Sequence, residues 1–209
     1  MIDQQFTAWS DRRGLANRLN PSQISQLLIY VRVLAEWNLR LNLTGFSLTG
    51  ELDTALDRLV LEPVLASESV DKSARKLVDV GSGSGSPAIP LLISAPWLEL
   101  TMVESRQRKS VFLREAVRAV GLRATVVTSR LEDLAATDRV ELFDAASLRG
   151  VRLDEAIGVA LAKLIQSGGQ LLYFDSIDGP SPRLSSFINE PPAVTDALPG
   201  FRLSPLRRI

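Results

Sequence analysis

The residues most able to do chemistry in this chain cluster in one stretch, Lys76-Leu77-Val78-Asp79-Val80-Gly81-Ser82-Gly83-Ser84-Gly85. Lys76 to Val80 is an apolar run with an acid near its end, the pattern of a buried parallel strand. It runs into three alternating glycines and then Ser86-Pro87, which predicts a helix with proline at its first position. A strand, a glycine loop and a helix start together form a ligand cradle. Glycine lets the backbone approach a ligand closely, and the free N–H groups of a helix start attract a carboxylate or phosphate.

Two ligands compete for such a cradle. A dinucleotide fingerprint is Gly-x-Gly-x-x-Gly/Ala, followed about 20 residues later by an acid for the ribose. Here the third-glycine position of that pattern is Ser86, and an acid, Asp79, precedes the first glycine. An acid there penalises a pyrophosphate and suits a ligand with a cationic amine. S-adenosylmethionine carries an ammonium, a sulfonium and a carboxylate. The next predicted strand, 99–103, is followed by Glu104, placed to bond two ribose hydroxyls. The cofactor expected from these residues is therefore S-adenosylmethionine, held by Asp79, Gly81, Gly83, Gly85, Ser86 and Glu104.

The elements that must position these groups follow from pattern. An amphipathic helix opens at Pro21-Ser22, carries Ile24, Leu27, Leu28, Val31, Leu34 and Ala35 at helical spacing, and closes near Trp37-Asn38. A second helix covers about 51–66, with Pro63 kinking it or ending its regular bonding. From Lys76 the pattern alternates, with strands at 76–80, 99–103, 124–128, 142–147 and 170–175. Helices fill the gaps, 105–120 stopping at Gly121 and 154–166 at Gly168-Gly169. Ala193–Leu198 and Phe201–Ile209 could close the sheet as an antiparallel hairpin, with Pro205 weakening the last strand. The fold class expected is α/β, a Rossmann-like, mainly parallel sheet flanked by helices, with ligands at the carboxyl ends of its strands. Residues 1–68 form an N-terminal helical segment and 69–209 the Rossmann-like domain.

Composition narrows the chemistry. Cysteine and histidine are both absent, which removes disulfides, Cys/His zinc sites, Cys or Ser-His nucleophiles and imidazole acid–base catalysis. A cysteine adduct on a pyrimidine carbon is thus excluded as a route for methyl transfer. Lys+Arg and Asp+Glu both number 24, so any RNA contact must be local. Arg106, Arg108, Lys109 and Arg114 on one helix are the candidate RNA face, continued by Arg118 and Arg123. No run could span a bilayer and the first residues make no signal peptide, so a cytoplasmic protein is expected, a monomer without metal.

Several segments resemble the bacterial 16S ribosomal RNA guanine-N7 methyltransferases, the RsmG or glucose-inhibited division protein B family. Trp37-Asn38-Leu39-Arg40-Leu41-Asn42-Leu43-Thr44 is similar to its W-N-x-x-x-N-L-T segment, and Asp79 to Leu91 to its D-V-G-T-G-x-G-x-P-G-I-P-L loop. Glu104-Ser105, Arg108-Lys109 and Phe112-Leu113 resemble its D-S-x-x-K-R-x-x-F-L helix start. Ser129-Arg130-Leu131-Glu132 resembles its S-R-x-E segment, and Phe143-Asp144 with Arg149 its F-D…S-R-A strand. The likeness spans about residues 15–175.

That resemblance implies methylation of guanine N7 in 16S ribosomal RNA or a small-subunit precursor. It places Gly81 and Ser86 at the methionine end, Leu131 and Glu132 at the adenine, and Arg149 and Asn42 as catalytic residues near the transferred methyl. The family's R-H-x-x-D-S falls on Arg58 to Pro63, with Leu59 in place of histidine, and its lysine after the fifth strand falls on Asp175. These departures predict weakened RNA recognition. They leave room for a small-molecule methyltransferase, or for a cofactor-binding protein with reduced or lost transfer activity.

Overall fold

The computed structural model describes residues 1–137, 142–176, 182–192 and 201–209. Its centre is a seven-stranded sheet in the order β3-β2-β1-β4-β5-β7-β6. The strands are β1 Lys76–Val80, β2 Glu99–Glu104, β3 Ala124–Thr128, β4 Phe143–Arg149, β5 Ile165–Ser176, β6 Phe187–Asn189 and β7 Phe201–Arg208. The first five run parallel, while β7 is antiparallel to both β5 and β6.

Strand periodicity sorts the sheet's side chains into two cores. Leu77, Leu100, Met102, Ala145, Leu172, Phe174 and Leu203 face the larger cluster. That side is covered by α2 (Pro21–Leu41), α4 (Glu62–Ala66), α5 (Ala88–Ser94) and α6 (Gln107–Val120). Val78, Val80, Val103, Ala146, Leu148 and Leu171 face the other side, covered by α7 (Leu131–Ala135) and α8 (Glu155–Leu164). The N-terminal segment adds α1 (Ile2–Arg12) and α3 (Asp53–Leu56) and shares the larger core without a break, from Phe6 and Trp9 through Leu34 to Leu77. Among the described residues no helix is long and apolar enough to cross a membrane.

α2 opens on a capping box of Asn20 and Gln23. It runs to Leu41 rather than closing at Asn38, because Asn38 stays helical while its Oδ1 accepts the Leu43 and Thr44 N–H groups at 2.7 and 3.0 Å. The helix expected over 51–66 is interrupted by a wide, π-type turn at Asp57–Leu61. Pro63 lies two residues beyond that turn and cannot donate back into it.

Two strand limits differ from the sequence reading. β4 continues to Arg149, two residues past the expected end. α8 stops at Leu164, and Gly168-Gly169 lies inside β5 instead of capping the helix. The ladder to β4 skips from Phe143↔Ile165 to Ala145↔Gln170, so the glycines take up a bulge. A Cβ on Gly169 would stand 2.8 Å from the Asp144 carbonyl oxygen, which excludes any side chain there.

β7 pairs with β6, and the other expected arm of the closing hairpin, 193–198, lies outside the described residues. Pro205 sits within β7 opposite Leu172, and its carbonyl accepts the Glu190 N–H at 2.9 Å. A strand residue's N–H and C=O point to the same edge, so the missing donor falls on the β6 side and costs β5 no bond.

Candidate active site

The sheet reverses its winding between β1 and β4, where Asp79 lies in register with Ser147. Open α/β sheets form a crevice at such a point, outside the carboxyl ends of the strands. Ser147 Oγ donates to Asp79 Oδ1 at 2.6 Å. Asp79 is 1% exposed, and its Oδ2 is buried without a hydrogen-bond partner. Burial pushes the carboxyl up to about 6, opposed by the hydrogen bonds from Ser147 and Ser82. A buried acceptor without a donor is costly, and a cationic amine placed there would supply one.

The glycine loop follows. Gly81 has φ +72°, and a Cβ on it would stand 2.5 Å from Val151 Cγ2, so only glycine leaves this face open. The wholly buried Tyr30 of α2 donates to the Ser84 carbonyl at 2.9 Å, fastening the loop from behind. Burial pushes the Tyr30 hydroxyl up, which keeps it a donor. Pro87 is the cap of α5, which begins at Ala88, so the proline stands one place before the expected position.

Glu104 ends β2 and is 6% exposed. Its Oε2 accepts the Gly83 N–H at 3.0 Å and its Oε1 the Arg106 N–H at 2.8 Å. Each oxygen keeps a second lone-pair site for a diol. Beyond it lies an open hollow of about 170 Å³ lined by Gly81, Ser105, Ser129, Leu131, Glu132 and Val151, among others. A larger hollow of about 600 Å³, edged by Gln23, Trp97 and Glu99, lies at the amino end of β2, the wrong end for this chemistry.

Arg149, the last residue of β4, is fixed from four directions. It pairs with Glu62, donates to the Arg58 carbonyl, reaches Ser86 Oγ at 3.2 Å, and lies over the Phe174 ring at 4.4 Å. Glu62 also pairs with Arg58 and is 4% exposed. Burial raises the Glu62 carboxyl, against the pull of the two arginines, and burial lowers Arg149, against Glu62.

The structure thus gathers Asp79, Gly81, Gly83, Gly85, Ser86, Glu104 and Arg149 at one end of the sheet, with Leu131 and Glu132 across the hollow. Asn42 comes from the N-terminal segment, directly after α2. It is exposed and holds the left-handed position after α2, φ +48°, a common use of asparagine. Arg114 is turned to the sheet edge, donating to the Val126 carbonyl at 3.1 Å and to Thr128 Oγ1 at 2.9 Å. Arg106 and Arg108 are exposed and Lys109 half-buried.

Two expectations about the departures change. Leu59 is 5% exposed and part of the larger core. Asp175 follows Phe174 on β5, so it points to the opposite face from Arg149, in register with Arg202 of β7. Sequence reading also passed over Glu62, Tyr30, Ser147, Phe174 and Val151 as site residues. Only Glu62 carried a signal, an acid inside the apolar run Leu59-Val60-Leu61-Glu62-Pro63-Val64-Leu65, where a charge needs a partner.

These groups fit S-adenosylmethionine: Asp79 Oδ2 awaits a donor, Glu104 offers lone pairs to hydroxyls, and Gly81 clears a close approach. Fold and site together define a Rossmann-like, S-adenosylmethionine-dependent methyltransferase. Two solved structures share the fold. They are the mitomycin 7-O-methyltransferase MmcR (TM-score 0.60, 18% identity, 91% of this chain and 69% of that one) and the putative methyltransferase yhhF from Escherichia coli (TM-score 0.53, 17% identity, 71% and 82%). The chain belongs to the GidB family, rRNA small subunit methyltransferase G, whose sequence model matches residues 23–176. Relatives named ribosomal RNA small subunit methyltransferase G include one from Stenotrophomonas maltophilia strain K279a, 37% identical over 164 residues (77% of this chain, 69% of the relative). Another, from Mycolicibacterium smegmatis, is 33% identical over 144 residues (69% and 60%).

Proposed function

We propose that the protein methylates N7 of a guanine in 16S ribosomal RNA or its small-subunit precursor, working as a cytoplasmic monomer. The observation that carries this reading is the group ending β4: a clamped arginine, Arg149, stands there with no imidazole or thiol in the whole chain. Guanine N7 has an in-plane lone pair and no proton to lose, so its methylation needs no general base. Exocyclic amine chemistry would instead favour an Asn/Asp-Pro-Pro-aromatic run after β4, where this chain has Arg149-Gly150-Val151.

S-adenosylmethionine supplies an electrophilic methyl on a sulfonium. Asp79 would receive its ammonium, Glu104 its ribose hydroxyls, and the hollow beside Leu131 and Glu132 its adenine. Arg149, held by Glu62 and Phe174, would present a fixed cationic edge to the guanine while the loop excludes water, which is catalysis by proximity and desolvation. The test is incubation of small subunits from a deletion strain with labelled cofactor, then mass spectrometry of the 16S nucleosides. N7-methylguanosine is expected. Label in any other nucleoside, or only in small molecules of an extract, would displace this reading.

A further inference from the structure

The proposed substrate is a polyanion, and the arrangement of cations shows where it would rest. Through Arg32 the N-terminal cations are occupied: Arg12 by Asp53, Arg13 by Asp57, Arg18 by Glu68 and Arg32 by Asp3. Arg118 is held by Glu115 and Arg207 by Glu190. Other cationic side chains have no hydrogen bond or ion pair among the described residues, and they are unevenly placed. Arg40, Arg106, Arg108, Lys109, Arg130 and Arg152 stand at the carboxyl end of the sheet, around the site. Away from it are Arg123 before β3, Lys163 near the end of α8, and Arg183.

Their positions follow from the fold. Arg106 follows β2, and Lys109 Nζ comes within 3.8 Å of where a Cβ would stand on Gly83. Arg40 arrives from another element. α2 and α6 run antiparallel, Gln26 Nε2 bonding the Val120 carbonyl at 3.2 Å at one end and the Trp37 ring lying 5.9 Å from Phe112 at the other. One turn past Trp37 brings exposed Arg40 and 78%-exposed Leu39 to the same end as Arg108, one turn before Phe112. Across the mouth, Arg152 is exposed and adjoins Val151, which lines the hollow. Arg130 also lines it but is followed by exposed Glu132 and Asp133, a poorer place for phosphate.

In a chain of zero formal net charge, unpaired cations gathered at one rim make a local attraction for a polyanion. Resting on the activity proposed above, we propose that RNA lies as in a saddle across the mouth. Its backbone meets Arg40, Arg106, Arg108 and Lys109 on one side of the glycine loop and Arg152 on the other. Arg114 takes no part. The saddle therefore joins two helices and the loop after β4, and is not one face of α6.

The experiment compares two double variants that each lose two unpaired cations: Arg40→Ala with Arg152→Ala, and Arg123→Ala with Lys163→Ala. Binding to protein-free 16S RNA is followed against salt, with S-adenosylhomocysteine binding measured alongside. The saddle variant should bind RNA about tenfold more weakly, with a salt slope flatter by about two units and unchanged S-adenosylhomocysteine affinity; the control pair should match wild type. Equal losses in both variants, or none in either, would overturn the saddle. So would a defect seen only with assembled subunits, which would mark a contact to ribosomal protein. If wild-type protein binds RNA yet makes no N7-methylguanosine, the proposed activity fails, while the two variants still decide the saddle.

Discussion

Glu62 and Arg149, 87 positions apart in sequence, meet as an ion pair whose carboxylate side chain is 5% exposed and whose guanidinium is 19% exposed. One belongs to the N-terminal segment and the other ends β4, so the pair ties that segment to the catalytic end of the sheet. Removing one partner of a buried pair strands the other, an effect far larger than that of an exposed salt bridge.

Glu62→Gln should therefore cost stability, about 3 kcal/mol, at the low end of the range for broken buried pairs because Arg58 is partly solvated. Urea denaturation measures that loss. The same variant frees Arg149, so kcat on RNA should fall about tenfold while the Kd for S-adenosylhomocysteine changes little. A variant as active as wild type would show that Arg149 needs no clamp.

Cofactor affinity should depend on Asp79 ionisation. Its carboxyl, raised to about 6, is protonated in the free protein at pH 5 and charged at pH 7. Binding of an ammonium needs the charged form, so S-adenosylhomocysteine should bind about tenfold more tightly per pH unit on rising toward 6, then level off. Stability of the free protein runs the other way. Between about pH 4 and 6 Asp79 in the folded state holds a proton that the unfolded chain has lost, so its own contribution to stability falls by about 3 kcal/mol as pH rises across that window, then stays flat. Calorimetry and denaturation of wild type against Asp79→Asn test both, since the variant should lose each dependence.

Gly81→Ala should fail for two separable reasons. The new Cβ would stand 2.5 Å from Val151 Cγ2, and the residue would hold φ +72°. Adding Val151→Ala relieves the contact and leaves the backbone cost, about 1–2 kcal/mol. The double variant should recover part of the cofactor affinity lost by Gly81→Ala alone. Full recovery would mean the backbone conformation costs nothing here, and no recovery that Val151 is not the obstacle.

Restoring the family's residues at 59 and 175 should not improve the protein. Asp175→Lys would set a lysine opposite Arg202 on β7, costing about 0.2–1 kcal/mol as a like-charged cross-strand pair. Leu59→His would bury an imidazole at a 5%-exposed core position, costing about 1–3 kcal/mol if it finds no partner. Thermal denaturation should show both losses, and turnover on RNA should not rise. A gain in turnover would mean that these positions reach substrate after all.

Much of this was legible in the chain alone. Strand periodicity two, the alternating glycines and the acids at 79 and 104 are local properties, because a pleated strand turns every second side chain to the same layer. Asp79, Glu104, Ser147 and Arg149 follow Leu77, Met102 and Ala145 at even spacing, and so share the face of the larger core. What the sequence left open were contacts between segments distant along the chain: Glu62 on Arg149, Tyr30 under Ser84, Ser147 against Asp79, and Asp175 set opposite Arg202. Spacing gives the direction of a side chain on its own element, but its partner depends on how the elements pack. Only the tertiary structure could therefore show that Asn42 and Asn38 end and cap a helix, that Arg114 is spent on β3, and that Glu62 holds Arg149.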